Sequence, residues 1–571
     1  TARAIVKNFY TLGIINDVNQ KVMEVSREQN VFILAGTNML LSRIIRKDEA
    51  PFIYERTGSR YQHFMIDEFQ DTSYLQYANF KPLITNSLAG DHFSMLVGDV
   101  KQSIYRWRNS DWTLLANQAE QDFQTFGSEA YNLDTNWRSS ARIIDFNNSF
   151  FRNAASALQA QLLHKLPEDA NQQPLPDDFE RKIVDAYQDV QQKTAPHQPA
   201  DQGHVRFQFL EGDNKKDFQE SATQASVAQI DELLKQGYST SDICVLVRKK
   251  DEGILITNAL LTGNYHPEGK PLPVISNETL KLNSSPAVLF IINHLKFIQN
   301  PEDKVLEAFI RLHWERNKRE EEQEQFNASE VFHDRGKVPT WEEHLAFLDN
   351  KKQLPLYDLA DELVRLLPGE IRQEQGLYIQ ALLNQINEFS SREAADLELY
   401  LDEWEIAGQH ETVVVPEQQE AIRVMTVHKA KGLEFKAVVM PFCNWELDAG
   451  NQRNLMWCQP SHPPFDGLEL VPVNYEKSLL ESHFMKEYLE ELMHQYIDNL
   501  NLLYVAFTRA EEVLTGFCQK KKKDPSELGN VSDLIWFHFI TNGPDGQLPG
   551  EWDDEKMEYG YGILRPPHAH D

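Results

Sequence analysis

The chain has 571 residues, enough for about three to five domains at the usual ~100–200 residues each. Its net charge of 56 − 87 = −31 argues in bulk against phosphate contacts, although an acidic average still permits a local basic or aromatic groove. No apolar run reaches the ~18–20 residues of a membrane span. The four cysteines, Cys244, Cys443, Cys458 and Cys518, form no C-x-x-C pair, which excludes a zinc-finger or disulfide framework and predicts a reducing, cytoplasmic setting. Thr1 opens the chain without a methionine or a signal-peptide pattern, so the sequence reads as a fragment or a processed chain.

Residues 1–124 alternate helical patterns with short apolar runs. "VFILAG" (31–36) reads as a strand or a buried helix turn, whereas "FMI" (64–66) and "SMLVGD" (94–99) read as strands that run into acids. Strands alternating with helices predict a parallel sheet with its chemistry at the C-terminal strand ends. Residues 164–203 hold "LPEDANQQPLPDDFE" and "QQKTAPHQPADQG", a composition that predicts a surface loop, disordered in part. Strand patterns resume at "HVRFQFL" (204–210) and "DICVLVR" (242–248) and open a second α/β segment over 125–285. From 286 to 408 the spacing turns helical, as in Leu359, Leu363, Leu366 and Tyr378, Leu382, Ile386, Phe389, and predicts an inserted all-α domain. Within it "ERNKREEEQEQ" (315–325) reads as a solvated helix face or loop. The α/β pattern returns over 409–520 with "IRVMTVHKAKGLEFKAVVM" (422–440), and 521–571 reads as an extension or linker.

The chemistry concentrates in two blocks. In "FMIDEFQDT" (64–72) an apolar strand ends on Asp67 and Glu68, an expensive place for two charges unless a partner faces them. In "GDVKQSIYRWRNSD" (98–111) a second strand end is followed by Gln102 and then by Tyr105, Arg106, Trp107 and Arg108, a mixture suited to base stacking with phosphate contact.

These two blocks, with "NLDTNWRSS" (132–140), "VMTVHKAKGLEF" (424–435) and "LLYVAFTRAEE" (502–512), resemble the ordered motifs of UvrD/Rep/PcrA-type superfamily 1 DNA helicases. The linked "GDVKQSIYRWRNSDW" and the large later insertion are most similar to the AddA/RecB helicase–nuclease branch. The resemblance implies two RecA-like P-loop NTPase-type lobes, the first incomplete, with the all-α domain inserted in the second. It implies ATP and Mg²⁺ as ligands, with Asp67 holding the metal and Glu68 activating the attacking water. Gln102 and Arg138 match residues that reach the γ-phosphate, and Arg509 matches an arginine finger. Trp137 stands where an aromatic, usually tyrosine, stacks on adenine, and Glu434 matches a ribose contact. Tyr105, Trp107 and Arg108 match residues that grip single-stranded DNA, while Thr426, His428 and Lys431 match a loop near DNA and the lobe interface.

The family's phosphate-binding loop, G-x-x-x-x-G-K-[ST], has no match; the nearest pairs are "GKP" (269–271) and "GKV" (336–338). It is expected upstream of the Asp-Glu strand, before Thr1, so this chain alone is expected to bind ATP poorly and hydrolyse it negligibly. No nuclease motif follows Arg509. The expected role is the motor core of a 3′–5′ helicase that acts on single-stranded and duplex DNA in recombination and repair, with an AddB-like partner subunit. The alternative is a non-catalytic, helicase-like DNA-binding scaffold. Lys520 to Lys523 reads equally as a phosphate contact or as a solvated tail.

Overall fold

The computed structural model describes the chain except for residues 29, 32, 34–35, 48–51, 59, 168–174, 176–177, 197, 213, 277–280, 312–339, 393–395, 412–419, 449, 451–454, 522–526, 543–549 and 568–571. It is a mixed α/β protein in two compact units. One comprises Thr1–Arg248, Tyr265–Pro267 and Thr426–Asp571; the other comprises Lys249–Asn264 and Glu268–Met425. Among the described residues no helix is long and apolar enough to cross a membrane.

In the first unit the strands run in spatial order Glu551–Asp553, Glu558–Tyr561, His204–Leu210, Ala510–Gln519, Phe435–Met440, Ile243–Val247. The last four are mutually parallel, and the C-terminal pair adds antiparallel at the His204–Leu210 edge. Ile243–Val247 is buried at every position, as an apolar run in a parallel sheet demands, while His204–Leu210 alternates. Its inward Phe207 packs among Phe146, Phe507 and Phe539, which fixes helices Ala141–His164, Met485–Phe507 and Val531–Asn542 to the sheet. Gly516 sits beneath that ring; a Cβ there would lie 2.4 Å from Phe207.

The expected strand at 64–66 forms, and of the expected 94–99 run residues Ser94–Leu96 form a strand parallel to it, Phe64 beside Ser94. Ser73 and Gln76 make a reciprocal capping box at the start of the intervening helix Tyr74–Ala89, whose inner face joins Phe69, Leu114 and Phe123 in a small core. In "VFILAG" the described Val31 and Ile33 belong to no strand and are exposed, while Phe32, Leu34 and Ala35 lie outside the described residues.

Two regions differ from expectation. The stretch 164–203 is not simply a loop, because Phe179, Ile183, Tyr187 and Val190 are buried around a short helix, Lys182–Ala186, that packs on Ala141–His164. Tyr187 donates to Asn501 Oδ1 at 2.7 Å, a buried anchor that composition cannot reveal. The segment 521–571 is not a linker: helix Val531–Asn542 buries Val531, Leu534, Ile535 and Phe539, and the 551–561 strands extend the sheet.

The second unit is helical, with a core of Val288, Ile291, Leu295, Leu359, Leu363, Leu382, Ile386, Phe389 and Trp404 that matches the predicted spacings. It is larger than 286–408. Strand Val274–Ser276 lies parallel to residues 422–424, and Leu282 N–H donates to the Glu411 carbonyl at 2.9 Å, so both flanks belong to it. The charged run 315–325 lies outside the described residues.

Two buried histidines predict a loss of stability in acid. Burial pushes His538 of the first unit and His344 of the second down to about 4. A depressed pKa contributes stability that is present above the unfolded value, near 6.5, and lost as pH falls toward 4. Each buried histidine is therefore expected to cost about 1.4 kcal/mol per pH unit across that window. Thermal unfolding between pH 7 and 4.5 checks this: His538→Phe, set among Phe146, Phe150 and Phe539, should flatten the decline, and an unchanged slope would refute the assignment.

Candidate functional site

The residues predicted from separate motifs converge within the first unit. A cavity of about 560 Å³ is walled by Gln102, Trp137, Arg138, Glu434, Tyr504 and Arg509, among others. That volume suits a nucleotide-sized ligand. One wall is the turn after strand Thr135–Asn136: Asn136 Oδ1 accepts from the backbone N–H groups of Arg138 and Ser139, both at 2.9 Å. Ser139 and Ser140 then donate to the carbonyls of Ala510 and Glu511 at 2.8 and 2.7 Å, which ties this turn to the segment carrying Arg509. Trp137 is left 65% exposed at the cavity, and Arg138 Nε donates to Glu434 at 2.6 Å.

Arg509 is 2% exposed. It is held by three neutral oxygens: Nε donates to the Val505 carbonyl at 3.0 Å, Nη1 to the Leu433 carbonyl at 2.9 Å and Nη2 to Thr508 Oγ1 at 3.1 Å. Among the described residues no carboxylate pairs with it. Burial, and next the neighbouring Arg138 charge, push its pKa down to about 10, opposed by Tyr504, Glu68 and Glu434. Such a pair of guanidiniums has the electrostatics of an anion site.

The acids sit beside this wall. Asp67 and Glu68 follow strand Phe64–Ile66 and are exposed. Glu68 takes a left-handed backbone, φ 52°, with its N–H on Asp67 Oδ1 at 2.8 Å. That conformation is costly for a non-glycine residue. Gln70 locks the corner. Its Nε2 donates to Glu68 at 2.6 Å, and its Oε1 accepts the Asp99 N–H at 3.1 Å. Gly98 is needed for this approach, since a Cβ there would stand 2.4 Å from Gln70 Oε1. Gln102 Nε2 donates to Asp99 at 3.1 Å, which Lys101 also pairs at 2.7 Å.

Lys431, only 7% exposed at its side chain, reaches across to this corner: 2.5 Å to Asp71, 3.3 Å to Glu68 and 2.8 Å to the Gln102 carbonyl. Burial raises the Asp71 pKa, opposed by Lys431. The loop expected near DNA is thus engaged with the acids here. Thr426 is buried just before the short helix Val427–Ala430. Burial, and secondarily Arg248, push His428 down to about 4, so at neutral pH its ring carries no charge to offer a phosphate; its carbonyl accepts from Tyr105 Oη at 3.1 Å.

The "YRWR" block divides. Trp107 is 65% exposed with the Arg108 guanidinium 4.4 Å above its ring, and Tyr105 stands edge-on to Trp107 at 6.2 Å. Asn109 at φ 66° closes the turn. Arg106 points the other way, into Glu491 and Asp498 of helix Met485–Phe507. Sequence reasoning missed Gln70, Asp71, Asn501 and the Arg106 partners; only the adjacency of Gln70 and Asp71 to the Asp-Glu pair offered a signal. Of the lysine run, Lys520 and Lys521 pair with Glu211 and Asp533, and Lys522 and Lys523 lie outside the described residues.

Residues 8–124 match the UvrD/REP helicase N-terminal domain, and residues 131–331 and 349–520 match the UvrD-like helicase C-terminal domain. The chain is 24% identical over 565 residues to an ATP-dependent helicase/nuclease subunit of Streptococcus uberis, covering 88% of this chain and 44% of that protein. The corresponding helicase/nuclease proteins of Streptococcus pneumoniae and Lactococcus lactis are each 24% identical, over 568 and 559 residues, covering 88% and 87% of this chain and 43% of each relative. The chain thus spans less than half the length of these curated relatives. With both family domains matched along most of its length, the chain belongs to the UvrD/REP helicase family.

Proposed function

We propose that this chain is the motor part of an ATP-dependent DNA helicase of recombination and repair, in which the cavity takes ATP and the Tyr105–Arg108 block takes single-stranded DNA. The observation that carries this reading is the convergence of Gln102, Trp137, Arg138, Glu434 and Arg509 on one cavity. They come from four separate stretches of sequence. The donor set fits an ATP phosphate tail: two guanidiniums, one of them held by neutral oxygens, an exposed indole for the base, and the Glu434 carboxylate in the wall. Mg²⁺ fits as well, since it takes one or two carboxylates and completes its shell with phosphates and water; Asp67 would hold it, and it would neutralise phosphate charge.

In this reading Trp137 stacks on the base, Glu434 exchanges its Arg138 partner for the ribose, and Arg138 and Arg509 bind the γ-phosphate. Glu68 accepts the proton of the attacking water, and Gln102 carries the state of the phosphate to Tyr105, three residues on. The two RecA-like lobes then close on ATP and open after hydrolysis, and Trp107 passes bases in the 3′–5′ direction. Thr426, His428 and Lys431 shape the DNA side of the same corner. The phosphate-binding lysine is not among these residues, so the chain by itself is expected to bind ATP weakly and turn it over negligibly. An AddB-like protein is the expected partner.

The DNA half is testable on the chain itself. Trp107→Ala is expected to weaken binding to a labelled oligothymidine by roughly tenfold, the worth of one stacked base. Fluorescence anisotropy at low salt reads it, and an unchanged affinity removes the stacking role.

A further inference from the structure

Helix Met485–Phe507 carries a polar stripe, Glu491, Asp498 and Asn501, that faces the 100–106 segment. Arg106 Nη1 and Nη2 donate to the two oxygens of Glu491 at 2.8 and 2.9 Å, and Nε donates to Asp498 at 2.6 Å. Asn501 Nδ2 donates to the carbonyls of Val100 and Ser103 at 3.2 and 2.9 Å. The stacking block and the segment leading into it are thus bolted to this helix at two points. Two residues past the helix comes Arg509, in the cavity wall. From Glu491 to Phe507 the helix spans about 24 Å at ~1.5 Å per residue, one continuous element between clamp and cavity.

We propose that Arg106 is a positioning residue: in the arrangement seen here it holds Tyr105, Trp107 and Arg108 against the helix that precedes Arg509, so that the set of the base-stacking side chains is tied to the element that presents the cavity arginine. The inference rests on the DNA reading above. A bidentate guanidinium–carboxylate pair with a third bond on Nε fixes position and orientation together, which a single lysine contact does not. With Nε, Nη1 and Nη2 all engaged, Arg106 is committed to the helix while its neighbours Trp107 and Arg108 face outward. It therefore acts on DNA only through them. The clamp closes over 385 residues of sequence and joins the block that would grip DNA to the element that presents Arg509.

A double-mutant cycle on the whole chain tests this. Arg106→Gln is expected to lower affinity for an oligothymidine by roughly tenfold, as Trp107→Ala does, and the double variant is expected to be no weaker than Trp107→Ala alone. The salt dependence of binding should be unchanged in Arg106→Gln, whereas Arg108→Gln should lose roughly 0.7 from the slope as one phosphate contact goes. Hydrogen exchange reads the transmission: oligothymidine binding should slow exchange in residues 504–510 of the wild-type chain, and this response should vanish in Arg106→Gln at saturating DNA. Asp498→Asn, close in shape to the native side chain, should reproduce a weaker form of both effects and guards against misfolding of the arginine variant. Additive losses, a reduced salt slope in Arg106→Gln, or an exchange response that survives in it would overturn the proposal while leaving the DNA reading intact. Failure of the wild-type chain to bind oligothymidine at all would overturn both.

Discussion

Glu68→Gln is expected to cut ATP turnover by about 10²–10⁴-fold while leaving single-stranded DNA binding unchanged, when this chain is joined to a phosphate-binding loop. The substitution keeps the side chain's length, and its amide oxygen still accepts the Gln70 Nε2 bond that now spans 2.6 Å, so the corner and its left-handed backbone persist. What is lost is the carboxylate that, in the proposed mechanism, takes a proton from water. The Lys431 contact at 3.3 Å also weakens, which frees that ammonium for Asp71. Steady-state phosphate release beside anisotropy with oligothymidine separates the two functions, and retained turnover would remove the base assignment.

Arg509→Lys is expected to be at least as damaging, with a loss of about 10³–10⁵ in turnover and no change in DNA affinity. Lysine keeps the charge, but one ammonium cannot serve the Val505 carbonyl, the Leu433 carbonyl and Thr508 together while also presenting a donor to a phosphate. Because Arg509 is buried, the variant is also expected to unfold at a lower temperature. Single-turnover hydrolysis measured well below that temperature isolates the chemical defect. Turnover within a few-fold of wild type would mean that charge alone suffices and that Arg509 serves the fold.

Much of this site is legible in the sequence because its parts are local. An apolar strand ending in Asp67 and Glu68, and a glutamine leading into "YRWR", each stand out within a dozen residues, and Gln102 meets the residues of three other motifs in the cavity. What is not legible is direction. Arg106 and Arg108 are the same residue type two positions apart, yet one turns to Glu491 and Asp498 and the other lies over Trp107, a choice made by a helix almost four hundred residues away. The fold shows the same limit. Gln, Pro and Asp dominate 164–203 and conceal Phe179, Ile183 and Tyr187, whose four-residue spacing becomes meaningful only once the 141–164 helix offers a surface. The edge strand at 558–561 likewise reads as an ordinary tail until His204–Leu210 presents an open edge.

The central claim, that this chain couples ATP to single-stranded DNA, is tested most directly by ATP turnover with and without oligothymidine in a protein that joins a G-x-x-x-x-G-K-[ST] loop to it. The account requires turnover that rises with DNA and collapses to background in Glu68→Gln. Turnover indifferent to DNA, or none in either condition despite measured DNA binding, would contradict it.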